Sequence, residues 1–351
     1  MNPESSAPEG YKTGAVEAWV AAHVDNLTPP FEWIRLAGGR SNLTYQLRDQ
    51  SGRIAVIRRP PQGKLLPKAH DMSREWALIS SLGPTPVPVP AAYAFCEDPE
   101  VTGAWFYVMG HVDGHPLYDS ADTNKYVPES ERKTMAYSFI DSLAALHAVD
   151  PVSVGLGELG KKDGYVGRQL KTWYRSWTSS IEPAQYDDTR AHQLHQFFLG
   201  NIPEQGPARI VHGDYGTHNV LIGSDCRVAA IVDWELSTLG DPLADLTYSL
   251  NQWPDPTDAE PFDPKAATAL PGFPSRNELA DRYSDKTGRV LSELDYYYGF
   301  NHWKMAAILH GVYARYRQGQ KKMEGEDMDE LKSRIDRTLA RSERSIVHLL
   351  K

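Results

Sequence analysis

Three side chains in the segment VHGDYGTHNVLIGSDCRVAAIVDWE could share one piece of chemistry: Asp214, Asn219 five residues on, and Asp233 fourteen residues later. Their oxygens suit a hard divalent cation such as magnesium. A carboxylate within hydrogen-bond reach of a hydroxyl can also act as a general base. Two apolar runs, ARIVH and VAAIV, flank these residues and would support them. Singly, each has a bland role: Asp214 or Asp233 as a cap, Asn219 as a turn residue. The conjunction and its spacing favour a site. His212 reads as structural, holding the loop, and His147 in LAALH as a satisfied packing residue.

The elements that must position these groups divide the chain in two. Residues 14–24 have helical spacing. FEWIRLAGGRSNLTYQLRDQSGRIAVIRRP then alternates, with turns at Gly38-Gly39 and around Asp49–Gly52, and predicts strand, glycine turn, strand, hairpin, strand. Residues 70–82 predict a helix with Asp71 or Ser73 as N-cap. A proline-rich connection leads to two more strands, the second in AWFYVMGHV. Beyond it, helices are predicted over 129–148, 165–180, 187–200, 276–286, 292–317 and 326–350. Another begins in DPLADLTYSLNQ, with Asp241 as N-cap and Pro242 at its first position. The expected fold is α+β and bilobal: residues 1–110 as a small antiparallel sheet with a helix, and 111–351 as a larger, mainly helical lobe.

Composition narrows the function. A chain of 351 residues suggests two lobes. No apolar run reaches the roughly 18 residues of a membrane span, and the N-terminus lacks signal-peptide character. The two cysteines, Cys96 and Cys226, form no metal or disulfide motif, so a cytoplasmic location is expected. A net charge of −9 argues against nucleic acid and anionic membrane as partners. It leaves room for a phosphate ligand bridged by a cation.

The motifs together resemble the aminoglycoside phosphotransferase family of the protein-kinase-like superfamily, over roughly residues 30–320. His212-Gly213-Asp214 is similar to the family's H-G-D, and Asp233-Trp234-Glu235 stands where protein kinases have D-F-G. The resemblance implies ATP and Mg2+ as cofactors and a small-molecule hydroxyl as phosphoryl acceptor. Asp214 would be the catalytic base, with Asn219 and Asp233 as magnesium ligands. Arg58 in IAVIRRP occupies the place of the phosphate-binding lysine, with Glu75 in the next helix fixing it. Strand alternation favours Arg58 over Arg59 as the inward residue. Gly38-Gly39-Arg40-Ser41-Asn42 replaces the glycine-rich loop but lacks GxGxxG, so Ser41 and Asn42, or their backbone N–H groups, would have to cover the phosphates together with Gly39. Met109, Gly110 and Val112 fall in the hinge, whose backbone would hydrogen-bond adenine.

The runs RRPPQGKLLPKAHDMSRE and DWELSTLGDPLADL, with HWKMAAILHGVYARYRQG, resemble the branch fused to or found beside acyl-CoA dehydrogenases. Arginine at the lysine position is expected there. The branch implies a hydroxyacyl-CoA-like acceptor and a functional association with an acyl-CoA dehydrogenase. An antibiotic O-phosphotransferase and a non-catalytic nucleotide-binding pseudokinase are the alternatives. Intact base and metal positions disfavour the pseudokinase; the HGD form and the absence of A-P-E disfavour a protein kinase. On the candidate pocket helix, Tyr296, Tyr297, Tyr298, Trp303, Lys304, Tyr313 and Arg315 suit an apolar or anionic acceptor. Periodicity leaves open which of them face the core. Glu235 could touch substrate or metal, or pair with a nearby cation. Oligomeric state is left open.

Overall fold

The computed structural model describes residues 8–36, 42–63, 71–255, 263–320 and 327–349. An N-terminal helix α1 (Thr13–His23) precedes strands β1 (Glu32–Arg35), β2 (Leu43–Arg48) and β3 (Ile54–Arg59). Helix α2 (Met72–Leu82), strand β4 (Ala92–Cys96), the short turn α3 (Pro99–Thr102) and strand β5 (Phe106–Gly110) follow. The five strands form one antiparallel sheet in the order β1-β2-β3-β5-β4.

Alternation along β3 decides what each face of the sheet carries. Ala55 and Ile57 are buried beneath α1, in a cluster with Val16, Val20, Leu47 and Phe106. Arg59 points the same way and donates to the carbonyls of Gly10 and Thr102. Val56 and Arg58 therefore face the opposite side, where they line the interlobe cleft.

Helix α2 begins at Asp71, whose side chain accepts from the backbone N–H groups of Ser73 and Arg74. Of the two caps expected, Asp71 is the one used. Its apolar face, Leu78, Ile79 and Leu82, joins a core shared with the second lobe. Arg74 fastens it further, donating to Ser237 O (2.9 Å) and Leu159 O (2.8 Å). The helix that carries Glu75 is thus pinned against the segment after Asp233.

The larger lobe contains α4 (Ser120–Tyr126), α5 (Arg132–Ala148), α6 (Tyr165–Ala184) and α7 (Thr189–Gly200), then β6 (Arg209–Val211), β7 (Val220–Ile222), β8 (Val228–Ile231) and β9 (Thr238–Gly240). Helices α8 (Pro242–Leu250), α9 (Arg276–Thr287), α10 (Leu294–Arg317) and α11 (Met328–Ile346) complete it. β7 pairs with β8 and β6 with β9, both antiparallel. These ribbons place Asn219 and Asp233 in the lining of the cleft, with Asp214 bonded to Asn219. Asp241 caps α8 and Pro242 occupies its first turn, as expected. Short elements α3, α4 and β9 lack a long periodic pattern and are visible only in the structure. No helix among the described residues is long and apolar enough to cross a membrane.

Candidate active site

The loop between β6 and β7 is built around one buried carboxylate. Asp245, 3% exposed on α8, accepts from the backbone N–H of His212 (2.7 Å) and of Gly213 (2.9 Å). His147 holds the same carboxylate at 3.3 Å and lies against the Tyr283 hydroxyl at 2.7 Å. Burial opposes the charge on Asp245, but these partners prevail and its pKa lies below the usual carboxylate value. Gly213 has φ +83, and a Cβ there would come within 2.8 Å of the Leu236 carbonyl. Only glycine fits such a close, left-handed turn. His212 is fully buried, its Nε2 3.0 Å from Val232 O, and so ties the loop to the strand before Asp233.

Asp214 projects from this loop with its side chain about a third exposed. Asn219 Nδ2 donates to Asp214 Oδ2 (3.1 Å) and to its carbonyl (2.9 Å). Tyr248 donates its hydroxyl to Oδ1, and His218 Nε2 stands 3.5 Å from Oδ2. Burial raises the Asp214 pKa, but His218 and Tyr248 outweigh it and the net direction is down. The carboxylate is therefore ionised at neutral pH and can accept a proton.

Across the cleft, Arg58 Nη2 meets Asp233 Oδ1 at 2.5 Å, and Arg58 Nε lies 2.9 Å from Glu75 Oε2. Glu75 is 1% exposed and also accepts from Tyr107 Oη (2.9 Å) and Asn42 Nδ2 (3.2 Å). Burial works against the Arg58 charge, yet Glu75, Tyr107 and Asp233 together raise its pKa. For Glu75 desolvation wins over Arg58, and its pKa is raised. Asp233 takes a left-handed conformation, φ 65 and ψ 62, which aims its carboxylate back toward the sheet.

A cavity of about 230 Å³ lies between these groups and the segment after β5. Its lining combines the apolar side chains of Leu36, Val56, Met109, Leu221 and Val232 with the polar groups of Arg58, Asn219 and Asp233. Gly110 and Val112 line it too. The Gly110 N–H is taken by Ala91 O (2.7 Å), so it is not a donor for a ligand. A flat heteroaromatic ring and an attached anion match these two kinds of lining.

The oxygens of Glu75, Asp233 and Glu235 lie within 4.8 Å of one another. Glu75 is committed to Arg58, Tyr107 and Asn42. Asp233 and Asn219 reach the cavity, and their carboxylate and amide oxygens fit a hard divalent cation. Glu235 adds a further carboxylate beside them.

Expected assignments change for the Asn42 side chain and for Tyr296, Tyr297, Trp303 and Tyr313. The Asn42 side chain is 3% exposed and spent on Glu75, so it does not cover phosphates. Trp303 is 1% exposed, with Nε1 donating to Ala191 O (2.9 Å), and Tyr313 packs edge-on against Tyr186. Both belong to the core formed by α6, α7, α10 and α11, because that face of α10 is sandwiched between helices. Tyr298 packs beneath the Arg276 guanidinium, 5.6 Å from its ring centroid. Gly39 and Ser41 lie outside the described residues. Conversely, Tyr248, His218 and Asp245 were not picked out in the sequence, although all stand within the two motif-bearing segments.

A small sheet over a helical lobe, with paired acids and an amide at the cleft, is the protein-kinase-like architecture. The phosphotransferase enzyme family (APH) matches residues 32–279, and the chain belongs to it. Acyl-CoA dehydrogenase family member 11 of Gallus gallus is 34% identical over 293 residues, covering 81% of this chain. The chain spans only 36% of that protein's length. A candidate aminoglycoside phosphotransferase from Ralstonia eutropha superposes with a TM-score of 0.79 at 28% identity, covering 95% of this chain and 98% of that one. Spectinomycin phosphotransferase in complex with ADP and spectinomycin has a TM-score of 0.64 at 10% identity, covering 96% and 99%.

Proposed function

We propose that this chain transfers the γ-phosphoryl group of ATP to a hydroxyl of a hydroxyacyl-CoA-like acceptor. The observation that carries phosphoryl transfer is the convergence of Asn219, Asp233 and Arg58 in the lining of one cavity, with Asp214 hydrogen-bonded to Asn219. Family membership supports the same class of reaction. The acyl-CoA acceptor is supported by the relatives named acyl-CoA dehydrogenase family members. A functional association with an acyl-CoA dehydrogenase belongs to this proposal.

Adenine packs against the apolar lining, at Val56 and Met109, with the peptide groups up to Val112 at its edge. Arg58 leaves Asp233 for the phosphate oxygens, while Glu75 keeps its guanidinium in place. Asn219 and Asp233 would hold magnesium, which neutralises phosphate charge when bound. Asp214, kept ionised and fixed by Asn219 and Tyr248, orients the acceptor hydroxyl and takes its proton. Positioning and charge compensation supply most of the rate. A coupled ADP-release assay against hydroxyacyl-CoAs, aminoglycosides and small amino alcohols tests this. Turnover with hydroxyacyl-CoAs is expected; turnover with aminoglycosides alone would overturn the acceptor assignment.

A further inference from the structure

Helix α10 is joined to α8 by a polar stripe. Tyr297 Oη donates to Asp241 (2.6 Å). One turn on, Asn301 Nδ2 donates to Ala244 O and Thr247 Oγ1, both at 2.8 Å. The next position on that face is Lys304. Its ammonium lies over the Tyr248 ring, 5.3 Å from the centroid, and the hydroxyl of that ring donates to Asp214. The stripe thus leads from a helix N-cap to the candidate base.

Lys304 differs from the two residues before it. It is 8% exposed, yet no hydrogen bond or ion pair joins its ammonium to another described residue. Its companions are the ring face and the more distant charges of Asp245 and Asp214. Burial pulls its pKa below the ordinary lysine value, with Asp245 and Asp214 acting in the other direction. An ammonium on so nearly buried a side chain, with no close anion, is costly. Packing alone gives no reason for the charge, since methionine would fill the same space. Nor does Lys304 line the cavity assigned to the nucleotide.

We propose that Lys304 is the acceptor-recognition residue: its ammonium donates to a carbonyl or carboxylate oxygen of an acceptor whose hydroxyl sits at Asp214. The proposal rests on the phosphotransferase reading of Asp214. The two contact points are separated by about one tyrosine ring, so both groups belong to one short segment, as in a hydroxyacyl compound. Polycationic acceptors are disfavoured there by like charge. The oxygen could be the carbonyl of a thioester or the carboxylate of a free hydroxy acid, and the two sources are separable by assay.

The probes are hydroxyacyl-CoA thioesters with the hydroxyl moved one carbon at a time along the chain, and the matching free acids. Lys304→Met should lower acceptor kcat/KM roughly 10- to 100-fold, the effect of a hydrogen bond to a charged group. The KM for ATP should stay unchanged, and Tm should be equal or higher because a buried charge is removed. Lys304→Arg should recover part of the loss. Preference for thioesters assigns the carbonyl, and preference for free acids the carboxylate. Parental acceptor kcat/KM in Lys304→Met would overturn the proposal. So would a joint fall in Tm and in affinity for both substrates, which marks a structural lysine. Calorimetry keeps the two proposals apart. If the parent binds these probes without phosphorylating them and Lys304→Met loses binding, the recognition role stands and the reaction falls. If the parent neither binds nor phosphorylates any probe, both fall.

Discussion

Removing Arg58 isolates two acids, one of them in the protein interior. In Arg58→Met the guanidinium that meets both Glu75 and Asp233 is gone. Asp233 is a third exposed and can be rehydrated, but Glu75 is 1% exposed and retains only Tyr107 and Asn42. Breaking a buried pair from one side costs about 3–5 kcal/mol, and at roughly 2 °C per kcal/mol for a large chain Tm should fall by about 6–10 °C. The loss should depend on pH in a definite direction. The Glu75 pKa is already raised by desolvation, and Arg58 is what pulls it down. Without Arg58 it rises further. A carboxyl whose folded pKa exceeds its unfolded one binds a proton more tightly when folded. Its stabilising contribution is complete below the unfolded pKa and disappears as pH rises through the folded pKa. The deficit relative to the parent should therefore be largest near pH 8 and shrink toward pH 5. Scanning calorimetry on both proteins across that range measures it, and Arg58→Met/Glu75→Gln should recover part of the loss. A deficit independent of pH, or a double variant as unstable as the summed singles, would refute the reasoning.

Other consequences follow from the same geometry. Asp214→Ala should lower kcat by about 10²–10⁴-fold, the range for a lost general base, with nucleotide affinity by calorimetry unchanged. Tyr248→Phe removes a hydrogen bond that lowers the Asp214 pKa, so the acidic limb of the kcat/KM–pH profile should move to higher pH. Asp245→Ala leaves the His212 and Gly213 N–H groups without their acceptor and should cost about 3 kcal/mol or more, read by chemical denaturation. Gly213→Ala should lose activity and stability together, because its Cβ meets the Leu236 carbonyl.

What the sequence discloses about this site follows from how local each feature is. Asp214, Asn219 and Asp233 are joined by one β-hairpin, so their spacing alone brings them together. Arg58 over Arg59 follows from strand alternation, and the α8 start from Asp241-Pro242. The branch resemblance likewise agrees with the relatives found. Residues that act through tertiary packing escape this logic. Asp245 and Tyr248 become loop anchors only when α8 docks beneath β6, and Lys304 reaches Tyr248 only through the contact of α10 with α8. Helix α10 misled for a related reason. It is surrounded on several sides, so aromatic residues recur around it and its period does not mark the cleft side. Trp303 and Tyr313 went to the core on that account. The polar stripe Tyr297, Asn301, Lys304 was the usable signal in that helix.

Transfer of label from γ-³²P-ATP to a hydroxyacyl-CoA, in the parent and in Asp214→Ala, tests the central claim most directly. Label on the acceptor with the parent, and its loss in the variant despite retained nucleotide binding, is the predicted result. Equal labelling by both proteins, or label only on an aminoglycoside, would contradict it.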